Sequence, residues 1–142
     1  MKTIVEKRNG RIWGWEGDGG LAAFYFKEKN INAVLSAIEI LLELLFYNMF
    51  KCPFNETLKV RIALHTGQCQ FFQDLKRIQN DTLRILEVLE VEHTLPNTIT
   101  LSPSVYHDLG RKLEKYFVPI EVRRGHFIYR YQLKWEQIPG AT

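Results

Sequence analysis

Apolar positions along the chain follow two rhythms. Between residues 33 and 50, Val34, Leu35, Ile38, Leu41, Leu42, Leu45, Phe46 and Met49 recur three and four apart, which predicts one amphipathic helix of about five turns. Asn30 or Asn32 is placed to cap its start, and Pro53 to stop it. A second helical stretch, 75–92, puts Leu75, Ile78, Thr82, Ile85, Leu86 and Leu89 on one face, with Arg77, Asn80 and Arg84 on a separate polar stripe. Elsewhere the period is two. Residues 58–64 alternate, with Leu58, Val60, Ile62 and Leu64 on one side and Lys59, Arg61 and Ala63 on the other, and end in the turn His65-Thr66-Gly67. Residues 68–72 return as a short strand. Strands are also predicted at 11–16 and 21–26, meeting at Gly17-Asp18-Gly19-Gly20, a tight turn by its glycines.

Residues 1–6 suit a helix end or a strand, and Lys7-Arg8-Asn9-Gly10 a turn. Toward the C-terminus, 98–101 is a strand, Ser102 caps a short helix through Asp108 with Pro103 at its first position, and Gly110 ends it. A last hairpin joins 116–122 to 126–133 around Arg123-Arg124-Gly125, and 135–142 reads as a loose tail. This order of hairpins and helices predicts an α+β, ferredoxin-like split βαβ sandwich: a mixed or antiparallel sheet with two long helices on one face.

Composition narrows the class. A chain of 142 residues, 46% hydrophobic and 25% charged, fits one domain spanning 1–142 with a core that needs no disulfide or metal. Nineteen basic against sixteen acidic residues leave a net charge of +3, with the basic groups scattered, so nucleic acid is not the expected partner. Cys52 and Cys69 form no CxxC pair, and no cleavable signal precedes them, which suits reduced thiols and a cytoplasmic location. Glu39, Glu43 and Asn48 within the longest apolar stretch would be costly in a bilayer, so no membrane segment is expected.

Asp18 is the side chain with the clearest chemical potential, because a carboxylate at a hairpin tip beside outward N–H groups suits a divalent cation carrying a phosphate oxygen. An Asp-Gly turn selects the same residue without any ligand. His65 reads as a hydrogen-bonded histidine at a strand end. His65 and Cys69 do not converge across a strand-turn-strand, and His93, His107 and His126 are scattered in sequence, so zinc is not expected. Ser102 and His107 lack an orienting acid and read as a cap and a surface residue. Trp13, Trp15, Tyr25, Phe71 and Phe72 fit core and dimer interface, or an RNA-stacking platform; the clustered aromatics beside basic residues that such platforms carry on a central strand are missing, which favours the interface.

Three segments together resemble the class III nucleotidyl cyclase domain, the adenylyl and guanylyl cyclase family. Gly17-Asp18-Gly19-Gly20-Leu21-Ala22-Ala23-Phe24 is similar to its GDG-x-LA-x-F hairpin, Arg61-Ile62-Ala63-Leu64-His65-Thr66-Gly67 to its R-I-G-I-H-T-G strand, and Asn80 with Arg84 to its V-N-x-A-x-R helix start. Residues 98–109 resemble the strand and short helix that follow. The resemblance implies conversion of a nucleoside triphosphate to a 3′,5′-cyclic nucleotide and pyrophosphate, with two Mg²⁺ or Mn²⁺ ions at the interface of a head-to-tail homodimer. It assigns Asp18 as a metal ligand, Gly17 and Gly19 as the hairpin that meets triphosphate and metal, Asn80 to the ribose, and Arg84 to charge in the transition state.

The departures are specific. The family's first metal-binding aspartate lies on a central strand that precedes the 11–16 strand, and this chain has no counterpart to it. Gly14 stands where the adenine-selecting lysine would be, and near Gln73 and Asp74 the usual glycine is missing, so the base is not legible. The resemblance therefore implies an enzyme only if a first aspartate is supplied. A degenerate homology domain that binds nucleotide or a protein partner for regulation is the alternative, and an RNA-binding or structural ferredoxin-like module the third.

Overall fold

The computed structural model describes residues 1–16, 19–50, 58–67 and 81–132. The chain opens with helix α1 (Lys2–Lys7), which buries Ile4 and Val5, and turns at Asn9, whose φ of 65° an asparagine tolerates. Strands β1 (Gly10–Glu16) and β2 (Gly19–Phe24) pair antiparallel, with a bulge between Ile12 and Gly14. Helix α2 (Lys29–Phe50) follows as the longest element and buries Val34, Ala37 and Leu41. Lys7 and Arg8 both bond the Glu39 carboxylate, tying α1 to α2 and holding that carboxyl below its usual pKa, through the Lys7 hydrogen bond first and the Arg8 bond second.

Strand β3 (Arg61–Leu64) runs parallel to β4 (Thr98–Leu101), and helix α3 (Asp81–His93) lies between them in sequence. Two short helices, α4 (Pro103–Tyr106) and α5 (Arg111–Glu114), lead into the antiparallel hairpin of β5 (Val118–Arg123) and β6 (His126–Gln132). Gly125 turns this hairpin with φ 75°, and its N–H donates to Glu121 Oε1 at 3.0 Å. Two sheets result: β1-β2, and a four-stranded mixed sheet in the order β3-β4-β6-β5. The expected α+β architecture with a mixed sheet is the one observed.

The core sits where β4 is covered. Ile99 and Leu101 are fully buried and pack with Val34, Ala37, Leu41, Val105, Leu109, Phe117 and Tyr131. Thr98 and Thr100 alternate to the opposite face, where their hydroxyls donate to the Leu95 and His93 carbonyls at the end of α3, 2.6 and 3.4 Å away. Arg130, the ladder partner of Thr100, also donates to the His93 carbonyl at 3.1 Å, and Arg61 pairs with Glu90 of α3 at 2.9 Å. Thus α2 and α3 meet the four-stranded sheet from opposite faces rather than side by side, because the two sides of β4 carry different chemistry. Among the described residues α2 alone is long and apolar enough to cross a bilayer; here its buried side chains pack on the sheet.

Three boundaries differ from the periodicity. The alternation at 58–60 does not extend the β3 ladder, because Asn48 of α2 takes both the N–H and the C=O of Leu58 at 2.9 and 2.7 Å, and the Val60 N–H donates to the Asn97 side-chain oxygen at 3.4 Å. Asn30 lies inside α2 rather than capping it, with its side chain turned to other partners. The short helix α5 carries no periodic signal. The strand expected at 68–72, the first turns of the 75–92 helix and the tail at 135–142 lie outside the described residues.

Candidate functional site

The β1-β2 hairpin carries the first candidate motif. Its last described pair sets Glu16 opposite Gly19, and Trp15 opposite Gly20. A Cβ at Gly20 would lie 2.2 Å from Trp15 Cε3, so the indole packs against this glycine and would have to shift for any larger residue. Gly19 is exposed at the start of β2. Gly17 and Asp18, assigned above to triphosphate and metal, lie outside the described residues.

The end of β3 is held by a chain of hydrogen bonds through four elements. His65 Nδ1 stands 2.8 Å from Ser102 Oγ, which stands 2.9 Å from Ser104 Oγ; Ser104 donates to the Thr66 carbonyl at 3.2 Å. The Thr66 hydroxyl donates to Asn30 Oδ1, and Asn30 Nδ2 donates to Asp108 Oδ2 at 2.8 Å. Asn30 and Ser102 are buried, so these bonds replace water that the site excludes. Burial pushes the His65 pKa below its ordinary value, leaving the imidazole neutral at pH 7. His65 is the hydrogen-bonded strand-end residue that the sequence indicates. Ser102 sits at the N-cap of α4, yet its hydroxyl makes no capping bond, because His65 and Ser104 engage it.

The same turn fixes the start of α3. A Cβ on Gly67 would lie 2.5 Å from Thr82 Oγ1 and 2.9 Å from its Cγ2, so the turn and the first turn of α3 are in direct contact. Two residues further along α3, Arg84 is exposed and makes a loose ion pair with Asp81 at 3.8 Å. Asn80, its proposed companion, lies outside the described residues. No described contact joins Arg84 to Gly19, so the two halves of the expected site are placed on separate elements, hairpin and helix.

One turn beyond Arg84 on the same helical face, Val88 lines an open groove of about 490 Å³ between α3 and the β5-β6 hairpin. Leu89 and Ile128 also line it, and Arg123 stands on its hairpin wall. His93, His107 and His126 border the same space, from the end of α3, the end of α4 and the start of β6. Sequence separation hid this shared lining, which the fold alone supplies. The groove has the volume of a small-molecule site, with an apolar floor and cationic or imidazole groups around it. Among the described residues, no group of three or more His, Cys, Asp or Glu side chains is placed to hold a metal ion.

No protein-family model matches the chain, and no curated protein sequence does. Solved structures do match. An adenylate/guanylate cyclase/hydrolase from Silicibacter pomeroyi superposes with a TM-score of 0.75 at 19% identity, over 93% of this chain and 78% of that one. The guanylyl cyclase Cya2 gives 0.71 at 17% identity, over 90% and 72%. The guanylate cyclase domain of RhGC from Catenaria anguillulae, in complex with GTP, gives 0.66 at 20% identity, over 91% and 74%. The chain thus has the fold of nucleotidyl cyclase domains.

Proposed function

We propose that this chain is a nucleotidyl cyclase-like domain that binds a nucleoside triphosphate, and that it forms a 3′,5′-cyclic nucleotide and pyrophosphate as a homodimer when a first metal-binding aspartate is supplied. The observation that carries this reading is the coincidence of fold and motif order: the Gly-rich hairpin, the β3 strand ending in His65-Thr66-Gly67, and α3 bearing Arg84 follow one another in a chain that superposes on cyclase domains. In the reaction, the ribose 3′ oxygen forms a bond to the α-phosphorus, the bond from that phosphorus to the bridging oxygen breaks, and the electron pair leaves on pyrophosphate while the hydroxyl proton passes to solvent. Arg84, exposed and held among the described residues by a loose ion pair alone, would bring a guanidinium to the charge that develops on the phosphoryl oxygens. Asn80 would orient the ribose, and Gly17, Asp18 and Gly19 would meet the triphosphate. Mg²⁺ or Mn²⁺ would supply charge neutralisation on the phosphates. The dimer, the ions and the cytoplasmic setting belong to this proposal.

A second reading rests on the fold alone. A domain that binds nucleotide or a protein partner for regulation, without turnover, has the same fold. One experiment separates them. The chain is incubated with each of the four ribonucleoside triphosphates and Mn²⁺, and cyclic nucleotide and pyrophosphate are measured for wild type, Asp18→Ala and Arg84→Ala. The enzyme reading expects a product lost in Asp18→Ala and about 100-fold slower in Arg84→Ala. Absence of product from every triphosphate, with wild type and Asp18→Ala indistinguishable, sinks it. A rise in melting temperature with triphosphate under those conditions then supports the regulatory reading.

A further inference from the structure

Polar ties hold helix α3 to the sheet more than apolar burial does. Of its thirteen residues Leu89 alone is buried, whereas β4, which it contacts, is buried at every position. The ties gather at the C-terminal end of α3, where backbone carbonyls carry the negative pole of the helix. Arg130 Nη2 donates to the His93 carbonyl at 3.1 Å, the Thr100 hydroxyl reaches the same oxygen at 3.4 Å, and the Thr98 hydroxyl meets the Leu95 carbonyl just past the helix at 2.6 Å. Nearer the middle, Arg61 and Glu90 pair at 2.9 Å with 44% and 36% of their side chains exposed, so solvent screens that contact. Arg130 differs from the rest. It brings a half-buried cation to the helix end, and its Nε is buried and meets no hydrogen-bond partner among the described residues. An unmet buried donor on a charged group is a cost that an apolar side chain would avoid. In return the guanidinium supplies a directed grip, from the ladder partner of Thr100, on a helix that little else fixes. Arg84 stands nine residues before His93 on the same helix, about 14 Å away at 1.5 Å per residue, so whatever fixes the His93 end fixes where Arg84 lies along the sheet.

We propose that Arg130 is a positioning residue for Arg84: by holding the carbonyl end of α3 against β4 and β6 it sets the axial place of the helix, and so where the Arg84 guanidinium meets the phosphoryl group. The inference rests on the role proposed for Arg84 above. Arg130 acts through α3 and not on the substrate. Displacement of a charge-stabilising group by about 1 Å is enough to slow a reaction by one to two orders of magnitude, so a tie remote from the chemistry has a kinetic signature of its own.

Amide hydrogen exchange and turnover on the intact chain test it together, in wild type, Arg130→Met, Arg130→Lys, Arg84→Ala and the double variant Arg84→Ala/Arg130→Met. Arg130→Met keeps an unbranched side chain and removes the donors; it should speed exchange in the last two turns of α3 by about tenfold while leaving β4 within about twofold of wild type. With Mn²⁺ and the nucleoside triphosphate that wild type converts fastest, kcat should fall about tenfold in Arg130→Met with KM within about twofold, the split expected when a contact made in the transition state is misplaced. Arg130→Lys keeps a cation at the helix end and should return kcat to within about threefold of wild type. In the Arg84→Ala background Arg130→Met should lower kcat no further, although it speeds exchange in α3 as much as before. Exchange in α3 unchanged by Arg130→Met would overturn the proposal, and so would an equal fall in kcat with and without Arg84. A wild type that forms no cyclic nucleotide would overturn the proposed function and this inference with it, and faster exchange in Arg130→Met would then mark a purely structural tie.

Discussion

Replacing Gly67 with alanine tests the contact between the β3 turn and α3. A Cβ there would stand 2.5 Å from Thr82 Oγ1 and 2.9 Å from Cγ2, against an ordinary separation of about 3.5 Å or more. Close to 1 Å of overlap must be relieved, by turning Thr82 out of its rotamer or by lifting the start of α3, and overpacking of this kind costs about 1–3 kcal/mol. Against it, Gly67 lies outside the left-handed region, so alanine also restricts the unfolded chain and stabilises by about 0.4–1 kcal/mol. The overlap wins, and Gly67→Ala should be net destabilising, lowering the melting temperature by about 3 °C per kcal/mol lost. Thr82→Ala removes the two nearest atoms and leaves its Cβ at 3.2 Å. In that background Gly67→Ala should lose most of its cost, leaving a coupling of about 1–3 kcal/mol in a double-mutant cycle by urea denaturation, while whatever else Thr82 bonds cancels between the arms. If Gly67→Ala changes stability equally in wild type and in Thr82→Ala, the contact does not hold α3 and the reasoning fails.

Two further predictions concern the buried chain of hydrogen bonds. His65 has a folded-state pKa below its ordinary 6.5 because burial disfavours the charged ring, so the unfolded state binds more protons just below that value; stability should fall as pH drops from about 6.5 toward the folded pKa. His65→Gln should flatten this slope between pH 5 and 7 in urea midpoints, and an unchanged slope would move the titration elsewhere. Asn30→Ala should cost about 1–3 kcal/mol, since it strips a buried partner from both Thr66 and Asp108, whereas Asn30→Asp should cost more at pH 7 by setting a second carboxylate against Asp108, with the excess lost at pH 3.

The elements that were legible in sequence owe their form to local rules. The apolar and aromatic runs at 11–16 and 21–26 give β1 and β2, and the three-and-four spacing from Val34 gives α2. What was not legible depends on partners far away in the chain. Asn48 and Asn97 capture the backbone of 58–60 and shorten β3 to four residues, and Asn30 leaves its capping role for Thr66 and Asp108. The opposite placement of α2 and α3 follows from threonines and apolar residues alternating along β4, which the apolar periodicity of either helix cannot register. His93, His107 and His126 are separated by more than ten residues each, and only the approach of α3 to the β5-β6 hairpin gives them a common groove.

These distinctions separate the motif residues into two groups. Gly20 accommodates Trp15, Gly67 accommodates Thr82, and His65 and Thr66 bond across the sheet end, so each has a structural reason to be present whether or not any substrate binds. Their match to a cyclase pattern therefore marks the fold. Arg84 is different: three-quarters of its side chain is exposed, and its ion pair with Asp81 at 3.8 Å is long and itself exposed, a kind of contact worth about 0–1 kcal/mol. Nothing described in the folded chain needs a guanidinium there. Arg84→Ala should leave the urea midpoint within about 0.5 kcal/mol of wild type, the range of an ordinary surface substitution, while slowing the formation of cyclic nucleotide about 100-fold, as the proposed function requires. A variant destabilised by more than 1 kcal/mol would give Arg84 a structural reason of its own, and the strongest described sign of function in this chain would then fall back into the first group.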